Sequence, residues 1–287
     1  DLLVVDEASQ CDIASVLPLL FRAKRAVVIG DPMQLKHIST LSKGKDEQLL
    51  VKHGLLEDFP SWSYSHRSLF DLATSLCSSG DVVTLRDHHR SHEHIMGFSN
   101  DVFYEGKLRI ATNYAKLKRP RPDEPAVRWI DVKGTTVRPR NGGAYNDAEA
   151  QVVVEELARF AEEGYTGSIG VVSPFRLQAN RISELAQQHP KLGGARLSQM
   201  EFLADTVHKF QGDERDVMIF SPTVSEGVTS TALGFLNSKD SANLFNVAIT
   251  RARAALVVVG DRSVAGSSAV PLLSKFSSYT DQILSNQ

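Results

Sequence analysis

The chain holds two cysteines in 287 residues, Cys11 and Cys77. That is too few for a disulfide framework or a zinc ribbon, and it fits a reducing, intracellular setting. No apolar run approaches the roughly 20 residues that span a bilayer, so no membrane partner is expected. No signal-peptide pattern is present: Asp1 leads straight into core-like sequence, as expected for a piece cut from a longer polypeptide. Positive charge is not in excess, since the net charge is −2. That balance does not advertise nucleic-acid binding, although a local basic groove on a neutral protein stays open. The phosphate-cradling pattern G-x-x-x-x-G-K-[ST] is also missing. Gly44-Lys45, Gly106-Lys107 and "KGTT" at 133–136 all lack the first glycine at the right distance. There is no internal repeat and no long low-complexity tract. What remains, 42% hydrophobic and 23% charged residues, is ordinary for a globular chain of one large or two modest domains.

Short Val/Ile-rich runs alternate with helical patterns. "LLVVDE", "RAVVIGD", "SIGVVSPF", "RDVMIFSPTV" and "ALVVVGD" read as strands. "ASVLPLLF", "SLFDLATSL", "LQANRISELAQQ" and "NVAITRARA" read as helices. Continuous apolar strands separated by helices predict an α/β fold of parallel sheets covered on both faces. Ligands in such sheets sit beyond the carboxyl ends of the strands. Asp6-Glu7, Gly30-Asp31, Ser173-Pro174 and Gly260-Asp261 are therefore the informative positions. Residues 112–145 differ: "KLKRPRPDEP" and "KGTTVRPRNGG" read as basic, Pro/Gly-rich loops flanking a short strand, "AVRWIDV". The tail from 267 onward reads as a closing helix and linker.

Five blocks carry chemistry. In "DEASQ", a buried strand ends in two acids: Asp6 suits magnesium, directly or through water, and Glu7 suits polarising an attacking water. In "GDPMQL", Gly30 permits a tight turn beside Asp31, and Gln34 can donate to a γ-phosphate. In "VVTLRDHHRSHEH", Arg90 follows a short predicted strand, "VVTL", and its planar fork matches phosphate oxygens. His88 and His92 have the spacing of one helical face, but no further ligand is evident, so a basic loop is favoured over a metal site. In "HKFQGDERD", Gly212 allows close backbone approach and Glu214 can accept from a ribose hydroxyl. In "NVAITRARAALVVVGD", Arg251 and Arg253 are two apart and diverge on a helix. At most one faces a nucleotide, and Arg251, after Thr250, is preferred.

Taken in order, these blocks resemble motifs II to VI of superfamily 1 helicases, most closely the 1B group of nonsense-mediated-decay and Okazaki-processing helicases. "GDPMQL", "FYEGKL", "HKFQGDERD" and "NVAITRARAALVVVGD" carry the likeness, which runs from Asp1 to about Asp261. The resemblance implies P-loop NTPase, RecA-like sheets that sandwich ATP. Residues 1–88 would be the last part of the first domain, and 89–287 a complete second domain. It implies ATP and Mg2+ as cofactors, with Asp6 on the metal and Glu7 activating water. Gln34 would sense the γ-phosphate, Arg90 and Arg251 would act as arginine fingers, and Glu214 after Gly212 would contact the ribose. Gly30 and Asp31 belong to the same nucleotide-binding set. "SPFRLQ" is similar to the family's strand-contacting motif, which assigns Ser173, Pro174 and Phe175 to nucleic acid, together with Thr206 and His208 from "DTVHKFQG". Core packing is an equal reading for the Phe175 ring.

The likeness has departures. His89 replaces the usual aromatic before Arg90, and "KHIS" displaces a proline after "GDPMQL". The implied function is an ATP-driven helicase or translocase on single-stranded DNA or RNA, moving 5′→3′, acting as a monomer in the cytoplasm or nucleus. The N-terminal part of the same polypeptide would be its partner, and the chain alone is expected to be inactive. Two other classes stay open: a non-catalytic nucleic-acid-binding scaffold, and the ATPase part of a helicase-nuclease defence protein.

Overall fold

A computed structural model describes residues 1–57, 62–267 and 269–285. Residues 268, 286 and 287 of the expected closing tail, and 58–61 of the segment 41–80, lie outside the described residues. The chain divides into two compact units, Asp1–Leu85 and Arg86–Gln287.

In the first unit, β1 (Leu2–Val5) pairs in parallel with β2 (Arg25–Val28), Val5 lying opposite Val28. The helices Ile13–Leu20 and Leu69–Leu76 pack beside them around Ala8, Val16 and Leu69. Asp12 caps the first helix through the N–H of Ser15, and Ser68 with Asp71 forms a reciprocal capping box on the second. Such caps contribute about 1 kcal/mol each. The expectation of a buried strand is corrected for β1: alternate residues Leu2 and Val4 are more than half exposed. A strand presents successive side chains to opposite faces, and only one face of this two-stranded sheet is covered.

The second unit is built on a five-stranded, all-parallel sheet in the order β5-β9-β8-β6-β7. Its strands are β5 (Val127–Asp131), β6 (Ile169–Ser173), β7 (Leu203–Thr206), β8 (Arg215–Phe220) and β9 (Ala252–Gly260). Strand alternation sorts the core into two layers. Ile169, Val171, Val217, Ile219, Val257 and Val259 meet the helices Asp147–Glu162 and Arg176–Gln188. On the opposite face Phe220 meets Phe245, whose ring also packs on Phe98 and Phe276 at centroid distances of 5.6–5.9 Å. Phe98, Phe245 and Phe276 come from the helices Glu93–Phe103, Lys239–Thr250 and Pro271–Ser285. Val/Ile strands with both faces buried are what a parallel sheet requires. Among the described residues, no helix is long and apolar enough to cross a membrane.

Two expectations fail locally. "VVTL" forms no strand, and Val83 and Leu85 are over 80% exposed. The pairing strand is instead β3 (Asp87–His88), which runs parallel to β4 (Arg109–Ile110). The second failure is that Arg251 and Arg253 do not share a helix, because the helix ends at Thr250 and Arg253 lies in β9.

The two basic loops differ in how their charges are used. In the first, Arg121 forks onto Glu163 at 2.7–3.0 Å and stacks over Phe160, and just beyond the loop, in β5, Arg128 pairs with Glu156. That loop is thus stapled to the helix Asp147–Glu162. In the second, the stem residues Thr136 and Asn146 enter a buried polar network centred on Glu149. Glu149 accepts from the Ser221 hydroxyl at 2.7 Å and the Thr223 N–H at 2.9 Å, and Asn146 donates to Ser225 Oγ at 2.8 Å. Thr223 sits at φ 59°, a left-handed geometry that costs a side-chain-bearing residue roughly 1–2 kcal/mol, and these bonds offset it.

Complete burial, with Asp261 nearby, pushes the Glu149 carboxyl up from 4.5 to about 7 despite those hydrogen bonds. The folded state therefore holds its proton to higher pH than the unfolded chain does. This contribution to stability is full below 4.5 and is lost as pH rises through about 7. Relative to Glu149→Gln, the wild type should lose about 3 kcal/mol of unfolding free energy across that window. Urea unfolding at a series of pH values measures it, and parallel curves for the two proteins would contradict the assignment.

Candidate functional site

The first unit stitches the ends of β1 and β2 together. Ser9 Oγ donates to the Asp31 carbonyl at 2.8 Å and accepts the Asp31 N–H at 2.9 Å. A side chain at Gly30 would place its Cβ 2.6 Å from the Phe70 ring and 2.9 Å from Ser9 Oγ, so this close approach requires glycine. Asp31 Oδ2 in turn accepts from Gln34 Nε2 at 3.1 Å, which orients the glutamine amide. Asp6 and Glu7 are exposed at the end of β1. Asp6 Oδ1 accepts the Glu7 N–H at 2.8 Å, and Glu7 Oε2 accepts from Gln10 at 3.0 Å. Glu7 holds φ 51°, a left-handed backbone that turns its carboxylate out of the strand direction.

In the second unit, Arg90 and Arg253 converge on one carboxylate. Arg90 Nε lies 3.4 Å from Glu214 Oε2, and Arg253 Nε lies 3.6 Å from Glu214 Oε1. Glu214 is delivered by the turn before β8, where Gly212 adopts φ 71°. Arg90 is held by its neighbours: the His92 N–H donates to the Arg253 carbonyl at 2.9 Å, and the Ser91 N–H donates to His88 Nε2 at 2.9 Å. The three charged groups line a cleft of about 420 Å³ with His89, Thr112 and Lys116. Its one carboxylate faces three cations, so the cleft suits an anion carrying hydroxyl groups.

His88 and His92 are structural. His88 belongs to β3 and His92 caps the helix Glu93–Phe103, so they share no helical face. Burial, together with cationic neighbours, lowers both to about 4, so each is neutral. His92 stacks on Tyr114 at 4.6 Å. Among the described residues no group of three His, Cys, Asp or Glu side chains has metal-binding geometry.

Arg251, the arginine preferred on sequence, is 3% exposed at the helix C-cap, and its carbonyl accepts the Arg215 N–H at 3.0 Å. It does not line the cleft, whereas Arg253, set aside on sequence, does. The signal that identifies Arg253 is strand register: it follows Ala252, which pairs with Arg215 immediately after Glu214.

The cleft is at the amino-terminal ends of β8 and β9. The residues assigned to nucleic acid are at the carboxyl-terminal ends of β6 and β7, where Ser173 and Thr206 are register partners. Ser173 is fully buried, its Oγ accepting the Phe175 N–H at 3.3 Å. Phe175 is 8% exposed and packs on Phe235, Ala144 and Ala232, so its ring is core and is not offered to a base. Pro174 is half-buried and His208 exposed. Arg176 pairs with Asp205 and donates to Thr206 Oγ1 at 3.2 Å. Gly260-Asp261, at the end of β9, is also structural: Asp261 caps the next turn and binds Lys133 at 2.6 Å.

A family model described as an AAA domain matches residues 65–263, and a second model with the same description matches residues 1–39. The chain belongs to this AAA-domain family. Its relatives place it in the superfamily 1B group. It is 30% identical over 267 residues to "Helicase sen1" of Schizosaccharomyces pombe, covering 90% of this chain and 14% of that protein. It is 30% identical over 274 residues to the mouse "5'-3' DNA helicase ZGRF1", covering 91% and 13%. It is 27% identical over 271 residues to "Regulator of nonsense transcripts 1" of Dictyostelium discoideum, covering 91% and 18%. The chain thus spans less than a fifth of each of these relatives.

The Glu214 pairs are partly exposed and contribute at most about 1 kcal/mol. Glu214→Gln should leave the melting temperature nearly unchanged while tightening pyrophosphate binding in the cleft, because two arginines lose their internal anion. Isothermal titration with pyrophosphate checks this, and unchanged or weaker binding would contradict it.

Proposed function

We propose that the chain carries the hydrolytic end of an ATP-dependent helicase or translocase that moves 5′→3′ along single-stranded DNA or RNA. The observation that carries this reading is the convergence of Arg90 and Arg253 on Glu214 in one cleft, in a chain of the AAA-domain family. Phosphoryl transfer needs charge neutralisation and positioning more than covalent chemistry. Guanidinium groups neutralise phosphate oxygens, and Glu214 accepts from the ribose hydroxyls. Gly212, with its left-handed turn, lets the backbone approach the sugar. The buried Arg251 is assigned to phosphate by resemblance, and Arg253 is added to it by position.

Mg2+ is bound through one or two carboxylates, with phosphate and water oxygens completing the octahedron. Asp6 fits this, being exposed at a strand end with only one oxygen engaged by the adjacent N–H. The ion supplies charge neutralisation. Glu7 accepts a proton from the attacking water and is aimed by its bond to Gln10. Gln34, held by Asp31, orients toward the γ-phosphate.

On the opposite sheet edge, Ser173, Pro174, Phe175, Thr206 and His208 form the strand contact. Backbone groups there grip phosphates without reading sequence, while the buried Ser173 hydroxyl shapes the turn by accepting the Phe175 N–H. The Phe175 contribution is by its main chain. The exposed apolar face of β1 and β2 supports a partner role for further polypeptide of the same protein, which also supplies the phosphate loop. Taken alone, this chain turns over ATP negligibly.

In the full-length protein, Glu7→Gln and Arg90→Ala should each lower kcat for ATP hydrolysis by about 100-fold or more. Steady-state turnover with saturating oligonucleotide measures it. Wild-type rates in both variants, or robust magnesium-dependent turnover by this chain alone, would overturn the reading.

A further inference from the structure

The second basic loop, "VRPRNGGAY" at 137–145, is an ordered arm. Val137 and Tyr145 close its base with two antiparallel backbone bonds of 2.8 and 3.0 Å. A turn at its tip bonds the Gly142 N–H to the Pro139 carbonyl at 3.1 Å, with Gly142 and Gly143 at φ 92° and 80°. Three observations fix where the arm lies. A Cβ on Gly143 would stand 2.8 Å from Leu177 Cδ1, so the arm is pressed against the start of the helix Arg176–Gln188. Ala144 is fully buried against Phe175. The Asn146 N–H donates to Gln178 Oε1 at 2.8 Å, and the Thr136 N–H donates to the Glu226 carbonyl at 2.7 Å. The arm therefore flanks the Ser173-Pro174-Phe175 turn and is braced from below by the Glu149 network.

Its charges are uncommitted. Arg138 and Arg140 are both exposed, and neither forms an ion pair among the described residues. Arg138 makes one polar contact, to Thr229 Oγ1 at 3.3 Å. The contrast with the other Arg-Pro loop is direct: there Arg121 is spent on Glu163 and Glu156, and Arg119 donates to the Glu124 carbonyl. Here a comparable pair is held on a braced arm at the edge where the strand contact lies. Asp147, at the start of the helix that follows the stem, is already paired with Arg181 at 2.7 Å, and Glu226 stands at the stem base.

We propose that this arm is a phosphate-gripping element: Arg138 and Arg140 hold the sugar–phosphate backbone of a single strand lying along the Ser173 and Thr206 strand ends. The proposal rests on the strand-binding reading of that edge. Rigid placement lowers the ordering cost that a flexible basic loop pays on binding. The contact is sequence-independent, and each phosphate it neutralises releases counterions.

The test is the salt dependence of binding, read by fluorescence anisotropy with a labelled single-stranded oligonucleotide on the full chain. Each neutralised phosphate on a single strand adds about 0.7 to the slope of log affinity against log salt. Arg138→Gln/Arg140→Gln should lower that slope by about 1.4 and weaken binding several-fold. Arg138→Lys/Arg140→Lys should restore the slope, since a lysine neutralises the same phosphate. Wild-type binding with a slope unchanged in the Gln variant would overturn the arm's role while leaving the strand-binding edge standing. No oligonucleotide binding by the wild type would overturn the strand-binding reading itself, and the arm with it.

Discussion

The parallel alignment of five apolar strands governs the second unit. Every strand runs the same way, so strand starts gather on one edge of the sheet and strand ends on the other. Both faces are consumed by helices, which leaves only the two edges for polar work. Glu214 and Arg253 sit at strand starts; Ser173, Thr206 and the braced arm sit at strand ends. One sheet thus separates the cleft proposed for nucleotide from the edge proposed for the strand, with the apolar core between them.

Buried polar groups make this possible. Glu149 is a liability in the core: a carboxyl without solvent, reached by no cation among the described residues. It persists because hydroxyl and amide donors from two loops meet on it. Removing its partners would leave the cost of an unsatisfied group, on the order of 1–3 kcal/mol. The same bonds hold Thr223 in its left-handed turn and tie the stem of the basic arm to the loop after β8. A single acid thereby organises three connections on the strand-end edge.

Much of this was legible from residues alone. Val/Ile runs of four to six residues between helical patterns require parallel strands, and β2, β6, β8 and β9 lie where the runs are. Gly30 and Gly212 read as backbone positions, but for the other's reason: Gly30, expected for a tight turn, is required by its close approach to Phe70 and Ser9, and Gly212, expected for close approach, adopts a left-handed turn. What sequence misjudged depended on register and burial. Arg253 was set aside because the helical pattern was carried past Thr250, where the chain turns into a strand. Residues 82–85 look like a strand by composition, but they find no partner and remain exposed. The rule that ligands gather at strand ends drew attention to Gly260-Asp261, which proved to be a cap, and away from strand starts, where the cleft lies. Which basic loop is free could not be read at all, because both contain arginine and proline. Only the positions of Glu156 and Glu163 on a neighbouring helix distinguish them.

The central claim is that nucleotide and strand engage opposite edges of one sheet. Hydrogen exchange on the full-length protein, with a non-hydrolysable ATP analogue and separately with an oligonucleotide, tests it most directly. The account predicts that nucleotide protects residues 88–91 and 211–216, and that the strand protects 137–145, 173–177 and 206–208. Protection of the same peptides by both ligands, or of neither set, would contradict it.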